Sequence, residues 1–195
     1  MLKIHTLTLG MYQTNTYIIH DEASRTCCVI DPGYQADTIL DEVEALGLTV
    51  EAVLLTHGHF DHVGAVKDIA AATDCRVFLC AEDLSLPPMF TAGKLYYTDT
   101  YAEGSVLQLA GLSIHVLHTP GHTPGSVCLL IDRYLFSGDT LFAGSCGRTD
   151  IGGSWAQIRD SLNRLAAIEA DLVVFPGHGE STTLAAEKQY NPYMR

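Results

Sequence analysis

Thr56-His57-Gly58-His59-Phe60-Asp61-His62 places four potential metal ligands within six positions, directly after the apolar run Ala52 to Leu55. A buried strand followed at once by so dense a polar cluster is hard to explain as core or as surface. Two histidines two positions apart on an extended turn can converge on one ion. Asp61 and His62 read as the start of the next helix, which aims them elsewhere, toward a second ion.

Working outward, three more candidates share this context, each following a predicted strand: His122 in Thr119-Pro120-Gly121-His122, Asp139 in Ser137-Gly138-Asp139, and His178 in Phe175-Pro176-Gly177-His178. A glycine precedes each and gives the chain room to turn away from a sheet. If the strands lie side by side, all seven side chains meet along one sheet edge. Imidazole and carboxylate without thiolate is the donor set of a catalytic zinc, iron or manganese site, not of a sulfur-rich structural zinc module. The other four histidines, His5, His20, His115 and His118, read as non-ligating, with His118 placed to support a ligand from behind.

The flanking pattern is layered α/β. Lys3 to Leu9, Asn15 to His20 and Thr26 to Asp31 read as a meander closed by Asp31-Pro32-Gly33. Ala36 to Leu46 carries a helical stripe stopped by Gly47, and Val63, Val66 and Ala70 share one helical face before the strand Arg76 to Cys80. Glu82 to Ser105 shows no period and reads as a long surface excursion, in which Tyr96, Tyr97 and Tyr101 either line a substrate mouth or pack onto the body. Val106 to Leu109 with Leu112 to His118, and Ser126 to Asp132 with Tyr134 to Ser137, read as hairpins. A helix capped by Ser154 and Gln157 follows, with Trp155, Ile158, Leu162 and Leu165 as its core stripe. The strand Leu172 to Phe175 and a last helix over Thr183 to Tyr190 complete the order.

The 195 residues, 47% hydrophobic and 17% charged, describe one globular domain over 1–195 and exclude a disordered chain. No apolar run approaches the roughly eighteen residues of a membrane span. The start Met1 to Leu7 reads as a strand, not a secretory signal, so a cytoplasmic protein is expected. The six cysteines contain no C-x-x-C pair and read as buried thiols. A formal charge of −12 argues against a nucleic-acid partner. Arg148 and Asp150 read as an ion pair holding the loop after Asp139.

His57, His59, Asp61, His62, His122, Asp139 and His178, with Thr14-Asn15-Thr16-Tyr17 and the ending Glu187 to Tyr193, resemble the metallo-β-lactamase-fold hydrolases of the glyoxalase II type. The resemblance covers nearly the whole chain. It implies an αββα sandwich of two mixed β-sheets flanked by helices. It further implies one metal held by His57, His59 and His122, a second by Asp61, His62 and His178, and Asp139 bridging them. Two divalent ions are implied, zinc foremost, with iron or manganese as the other choices. The length is similar to the short, single-domain hydroxyacylglutathione-hydrolase-like branch, which lacks the helical domain of longer glyoxalase II enzymes.

On that reading the reaction is attack of a metal-bridging hydroxide on the carbonyl of a small-molecule acyl thioester, with Asp61 orienting the nucleophile and Asp139 setting the metal spacing. A lactone or ester is the neighbouring substrate class. Phe142 to Asp150 also resembles the sulfur dioxygenases of the fold, which use one iron. His57, His59 or His122 and Asp139 would then form an open site for oxygen and a persulfide. A nuclease is disfavoured by the acidic charge, and a non-catalytic metal-binding protein by the intact ligand set. The oligomeric state is left open.

Overall fold

The computed structural model describes residues 1–91 and 93–195. The first sheet runs β1 (Leu2–Leu9), β2 (Thr14–Asp21), β3 (Thr26–Ile30), β4 (Thr49–Leu54), β5 (Arg76–Cys80) and β6 (Asp99–Tyr101), in that spatial order. Its first three strands are antiparallel, whereas β3 to β6 are parallel. Parallel neighbours need crossovers. These are α1 (Ala36–Ala45) between β3 and β4, and α2 (Phe60–Val63) with α3 (Val66–Thr73) between β4 and β5.

The second sheet contains β7 (Val106–Leu109), β8 (Leu112–His118), β9 (Val127–Ile131) and β10 (Tyr134–Gly138). After the small ribbon of β11 (Leu141–Phe142) and β12 (Ser145–Cys146) it is completed by β13 (Val173–Pro176) and β14 (Thr182–Thr183). The spatial order is β14-β13-β10-β9-β8-β7, and α4 (Trp155–Ala166) carries the parallel crossover from β10 to β13. α5 (Leu184–Tyr190) closes the chain's last layer.

Strand alternation builds the layers, because successive side chains leave a strand on opposite faces. Cys27, Val29, Val53, Val77 and Leu79 face α1 and α3 in one outer core. Their neighbours Cys28, Ile30, Leu54 and Phe78 meet Ile114, Val116, Leu129 and Phe136 between the two sheets. Cys128 and Leu135 turn to the far side and pack on Ile158, Leu162, Leu165 and Leu184 of α4 and α5. The result is the expected αββα sandwich, with Cys27, Cys28, Cys75, Cys80 and Cys128 as free, buried thiols, whereas Cys146, expected to be buried as well, is only half-buried in the short β12 ribbon. Among the described residues no helix is long and apolar enough to cross a membrane.

Three expectations need correction. The face of Val63, Val66 and Ala70 is split into α2 and α3, because the Ala65 N–H bonds the Pro32 carbonyl at 3.0 Å and leaves the helical ladder. Gly33 permits this approach, since a Cβ there would lie 1.6 Å from the Asp61 carbonyl oxygen. Within the supposed surface excursion, Ala81–Ser85 is a 3₁₀ turn and β6 is the sheet's edge strand; Ala92 lies outside the described residues. Trp155 is not core: it sits at the first helical position of α4, half exposed, edge-on to Tyr193, while Ile158, Leu162 and Leu165 carry the buried stripe.

Candidate metal centre

β3, β4 and β5 run parallel, and β8, β10 and β13 are mutually parallel, so the loops after their C-terminal ends can gather on common edges of the sandwich. This is where open α/β sheets bind ligands. The two sheets are tied there by the Val127 N–H on the Thr56 carbonyl and by the Thr14–His178 bridge.

All seven predicted side chains come together. His59 Nδ1 lies 2.8 Å from His122 Nε2, and the His57 ring stands 4.8 Å, centroid to centroid, from each of those two rings. His62 Nε2 lies 3.3 Å from His178 Nε2, which is itself 3.3 Å from Asp61 Oδ2. Asp139 stands between the groups, with Oδ1 3.4 Å from His62 Nε2 and Oδ2 3.4 Å from His122 Nε2. One ligand atom each from His57, His59 and His122 falls within 4.8 Å of the others, and the same holds for Asp61, His62 and His178. The glycines before the late three act differently. Gly121 and Gly138 adopt positive φ, whereas Gly177 is needed because a Cβ would meet Asp139 Oδ1 at 2.2 Å.

The outer nitrogen of every imidazole is already bonded, and this sets the tautomers. His59 Nε2 donates to the Ile151 carbonyl, His122 Nδ1 to that of Arg148, and His178 Nδ1 to that of Tyr12. A carbonyl can only accept. Thr56 Oγ1 donates to Asp31 Oδ2 and so accepts from His57 Nδ1, and His62 Nδ1 donates to Asp31 Oδ2 at 3.0 Å. Bare lone pairs of His59 and His122 therefore face each other at hydrogen-bonding distance with no proton between them. His57 Nε2 and Asp139 Oδ1 are buried without a hydrogen-bond partner, although Asp139 Oδ1 faces the His62 ring at 3.4 Å. Orphaned acceptors in a site this buried are costly unless something electropositive joins them. The residues fit a divalent cation.

Electrostatics divides the cluster. Burial first, then the neighbouring imidazoles, holds His57 well below its ordinary range and His59 down at about 4. Burial also opposes charge on His62, yet Asp139, Asp31 and Asp61 outweigh it and hold that ring up at about 9. His178 is raised, against burial, by its bond to Asp61 and by Asp139. Asp61 is brought down to about 2, because the His178 bond and the two ring charges override its burial.

Two supporting carboxylates were not singled out from the sequence as site residues. Asp31 accepts from the Thr56 N–H at 2.7 Å as well as from Thr56 Oγ1 and His62, which leaves it a holder, not a free ligand. Asp83, fully buried, accepts from Gly58 N at 2.7 Å, Gly125 N at 2.6 Å and Thr123 Oγ1 at 3.0 Å. It thus braces the turn between His57 and His59 against the loop that follows His122. His118 does not back any of the seven; its Nε2 bonds the Pro124 carbonyl.

A cleft of 530 Å³ opens over the cluster, walled by Tyr12, Phe60, Phe90, Phe142 and Ile151, with Ser145, Cys146 and Arg148 as its other polar lining. Tyr96, Tyr97 and Tyr101 do not line it, and Tyr101 instead donates its hydroxyl to the Leu55 carbonyl. Arg148 and Asp150 form the expected ion pair, exposed, at 2.5 Å.

The sequence profile described as the metallo-beta-lactamase superfamily matches residues 9–178. The chain belongs to the metallo-beta-lactamase superfamily. It is 32% identical to the hydroxyacylglutathione hydrolase GloC of Haemophilus influenzae, covering 99% of this chain and 98% of that one. Among solved structures, the B3 metallo-beta-lactamase BLEG-1 superposes with a TM-score of 0.90 at 31% identity, covering 100% of this chain and 99% of that one. ETHE1 from Myxococcus xanthus gives 0.85 at 32%, with 97% and 83% covered. TTHA1623, solved in a di-iron-bound form, gives 0.84 at 36%, with 97% and 99% covered. As a metallo-beta-lactamase-superfamily enzyme, this protein carries its histidine and aspartate cluster at the sandwich edge as a site compatible with divalent metal.

Proposed function

We propose that this enzyme hydrolyses an acyl thioester of the hydroxyacylglutathione type. The observation that carries the reading is the completeness of the second ligand group: Asp61, His62 and His178 converge as closely as His57, His59 and His122 do. A mononuclear facial site has no use for that group. In the proposal His57, His59 and His122 hold one ion, Asp61, His62 and His178 the other, and Asp139 both. Zinc is the first choice, and the di-iron form of a 36% identical relative keeps iron in view beside manganese. When bound, two such ions supply a water acidic enough to act as nucleophile at neutral pH and polarise the scissile carbonyl.

The chain's own residues do the rest. Asp61, its carboxyl held below the ordinary range by the His178 bond and the ring charges, is ionised at neutral pH, so it can only accept hydrogen bonds and orients an attacking water toward the cleft. Asp31, Thr56, Ile151, Arg148 and Tyr12 hold the five rings in fixed tautomers. The apolar wall of Tyr12, Phe60, Phe90 and Phe142 seats the acyl donor and thins the water around the carbonyl. Apart from the cluster, the described lining of the cleft carries no histidine or carboxylate to protonate a leaving group; Cys146 is raised by burial and Arg148 is paired with Asp150. A thiolate leaves without that help, whereas an alkoxide or amine does not. This favours a thioester over a lactone or a β-lactam.

The likeness to ETHE1 carries a second reading, a mononuclear iron persulfide dioxygenase. One paired assay separates the two. Metal-reconstituted protein is expected to release free thiol from a hydroxyacylglutathione and to consume no oxygen with glutathione persulfide when iron-loaded. Steady oxygen uptake with iron near one per chain would overturn the hydrolase in favour of the dioxygenase.

A further inference from the structure

We propose that Cys80, Glu82 and His118 form a separate site for one thiophilic divalent cation of the zinc class, distinct from the cluster of seven. One ligand atom from each lies within 4.8 Å of the other two. Cys80 ends β5 in the first sheet, Glu82 sits in the 3₁₀ turn that follows, and His118 ends β8 in the second sheet. The three donors therefore come from two chain segments, Cys80 with Glu82 and the distant His118, brought together from strands of the two sheets. Among the described residues no other cysteine joins an imidazole and a carboxylate in this way.

The donors are held in place. Cys80 Sγ donates to Glu82 Oε2 at 2.9 Å, so thiol and carboxylate already face each other. His118 Nε2 donates to the Pro124 carbonyl at 2.8 Å, which fixes the tautomer and leaves Nδ1 as the basic nitrogen. The same residue's N–H bonds Glu103 Oε2, and its carbonyl accepts from Arg164. A ring so anchored is the usual outer support of a metal-bound histidine. Glu82 is exposed while Cys80 is 1% exposed, which gives an ion a polar way in to a sheltered sulfur.

Thiolate, imidazole and carboxylate together select zinc, cobalt or cadmium over magnesium or calcium, and a water completes four-coordination. Burial, then Glu82, pushes the Cys80 thiol up to about 12, so the ion-free chain holds it protonated. On uptake the S–H bond breaks, a sulfur–metal bond forms, and one proton leaves to solvent beside Glu82.

Titration of the full-length chain with Co²⁺ tests the site, because the cluster of seven contains no sulfur and cannot give a sulfur-to-cobalt charge-transfer band. A near-ultraviolet band with the amplitude of one thiolate-bound cobalt per chain, and a third ion per chain by elemental analysis, are expected. Cys80→Ser should abolish the band, and Cys146→Ser, which alters the thiol lining the catalytic cleft, should leave it intact. Glu82→Gln, an exposed change with little bearing on folding, should weaken cobalt binding about tenfold. Absence of the band, its persistence in Cys80→Ser, its loss in Cys146→Ser, or unchanged affinity in Glu82→Gln would overturn the three-ligand site. The band is read without turnover, so its fate is independent of the thioesterase reading.

Discussion

The group of His57, His59 and His122 and the group of Asp61, His62 and His178 look alike as ligand triads, yet they differ in what occupies them before any ion arrives. The first is three imidazoles that burial and mutual repulsion keep neutral, with His59 down at about 4. The second is pressed between Asp31, Asp61 and Asp139, which hold a proton on His62 up to about 9 and raise His178 as well. One group offers open lone pairs and the other must first give up protons. The difference teaches that a carboxylate-rich site gains charge attraction for a dication but pays in competition with protons.

The harshest way to break this contrast is to remove the residue both groups share. Asp139→Ala is expected to lower metal stoichiometry below two and to cut kcat/KM by about 10³-fold or more, roughly 4 kcal/mol of transition-state stabilisation. Two ions at full occupancy in that variant, by elemental analysis, would show that the bridge is elsewhere. Next in size, His178→Ala should remove one ion and most turnover while the first group keeps its own. With folding checked by circular dichroism, loss of both ions would mean the groups are not separable.

A pH series sharpens the comparison without mutation. His62, at about 9 in the fold against 6.5 ordinarily, contributes stability to the ion-free chain that is full below 6.5 and is lost as pH rises through 9. His59, at about 4, has the opposite sign: from 6.5 down to 4 the unfolded chain takes the proton more readily and stability falls. For metal, binding at the Asp61 group should therefore strengthen by about tenfold per pH unit near neutrality for each proton displaced, while the His57 group stays nearly flat. Equal pH slopes for the two equivalents in a calorimetric titration would erase the distinction. The smallest effect is expected of Asp83→Asn, which turns one acceptor into a donor facing Gly58 or Gly125 and should weaken the first ion by about 10-fold, leaving the second unchanged. An equal loss at both ions would show Asp83 to be a general brace.

Much of this was legible in the sequence because it was written locally. The seven candidates stood in fixed relation to strand ends, and short apolar runs bounded by turn residues marked the strands that carry them, although runs as continuous as β3 and β5 do not show which face each residue takes. What escaped was decided by partners distant in the chain. β6 has three residues, too few to show a period, and exists through pairing with β5. Asp83 looks like any acidic residue in a loop until Gly58 and Gly125 arrive to bond it. The break between α2 and α3 depends on the Pro32 carbonyl taking the Ala65 N–H. Trp155 fitted the helical spacing of its stripe, but a position at the first turn lies beyond the layer that the stripe covers.

The ligand atoms are drawn from both sheets: His57, His59, Asp61 and His62 follow β4, whereas His122, Asp139 and His178 follow strands of the second sheet. An ion bonded to both would act as a rivet through the sandwich. It binds only the assembled layers, so at a free concentration a hundredfold above its dissociation constant it would add about 2.7 kcal/mol per site to the folded state. Chelation would then do more than silence the reaction, because the sheets would part at a lower temperature and the opened chain would be cut sooner by proteases. For such a protein, metal supply sets lifetime as well as rate.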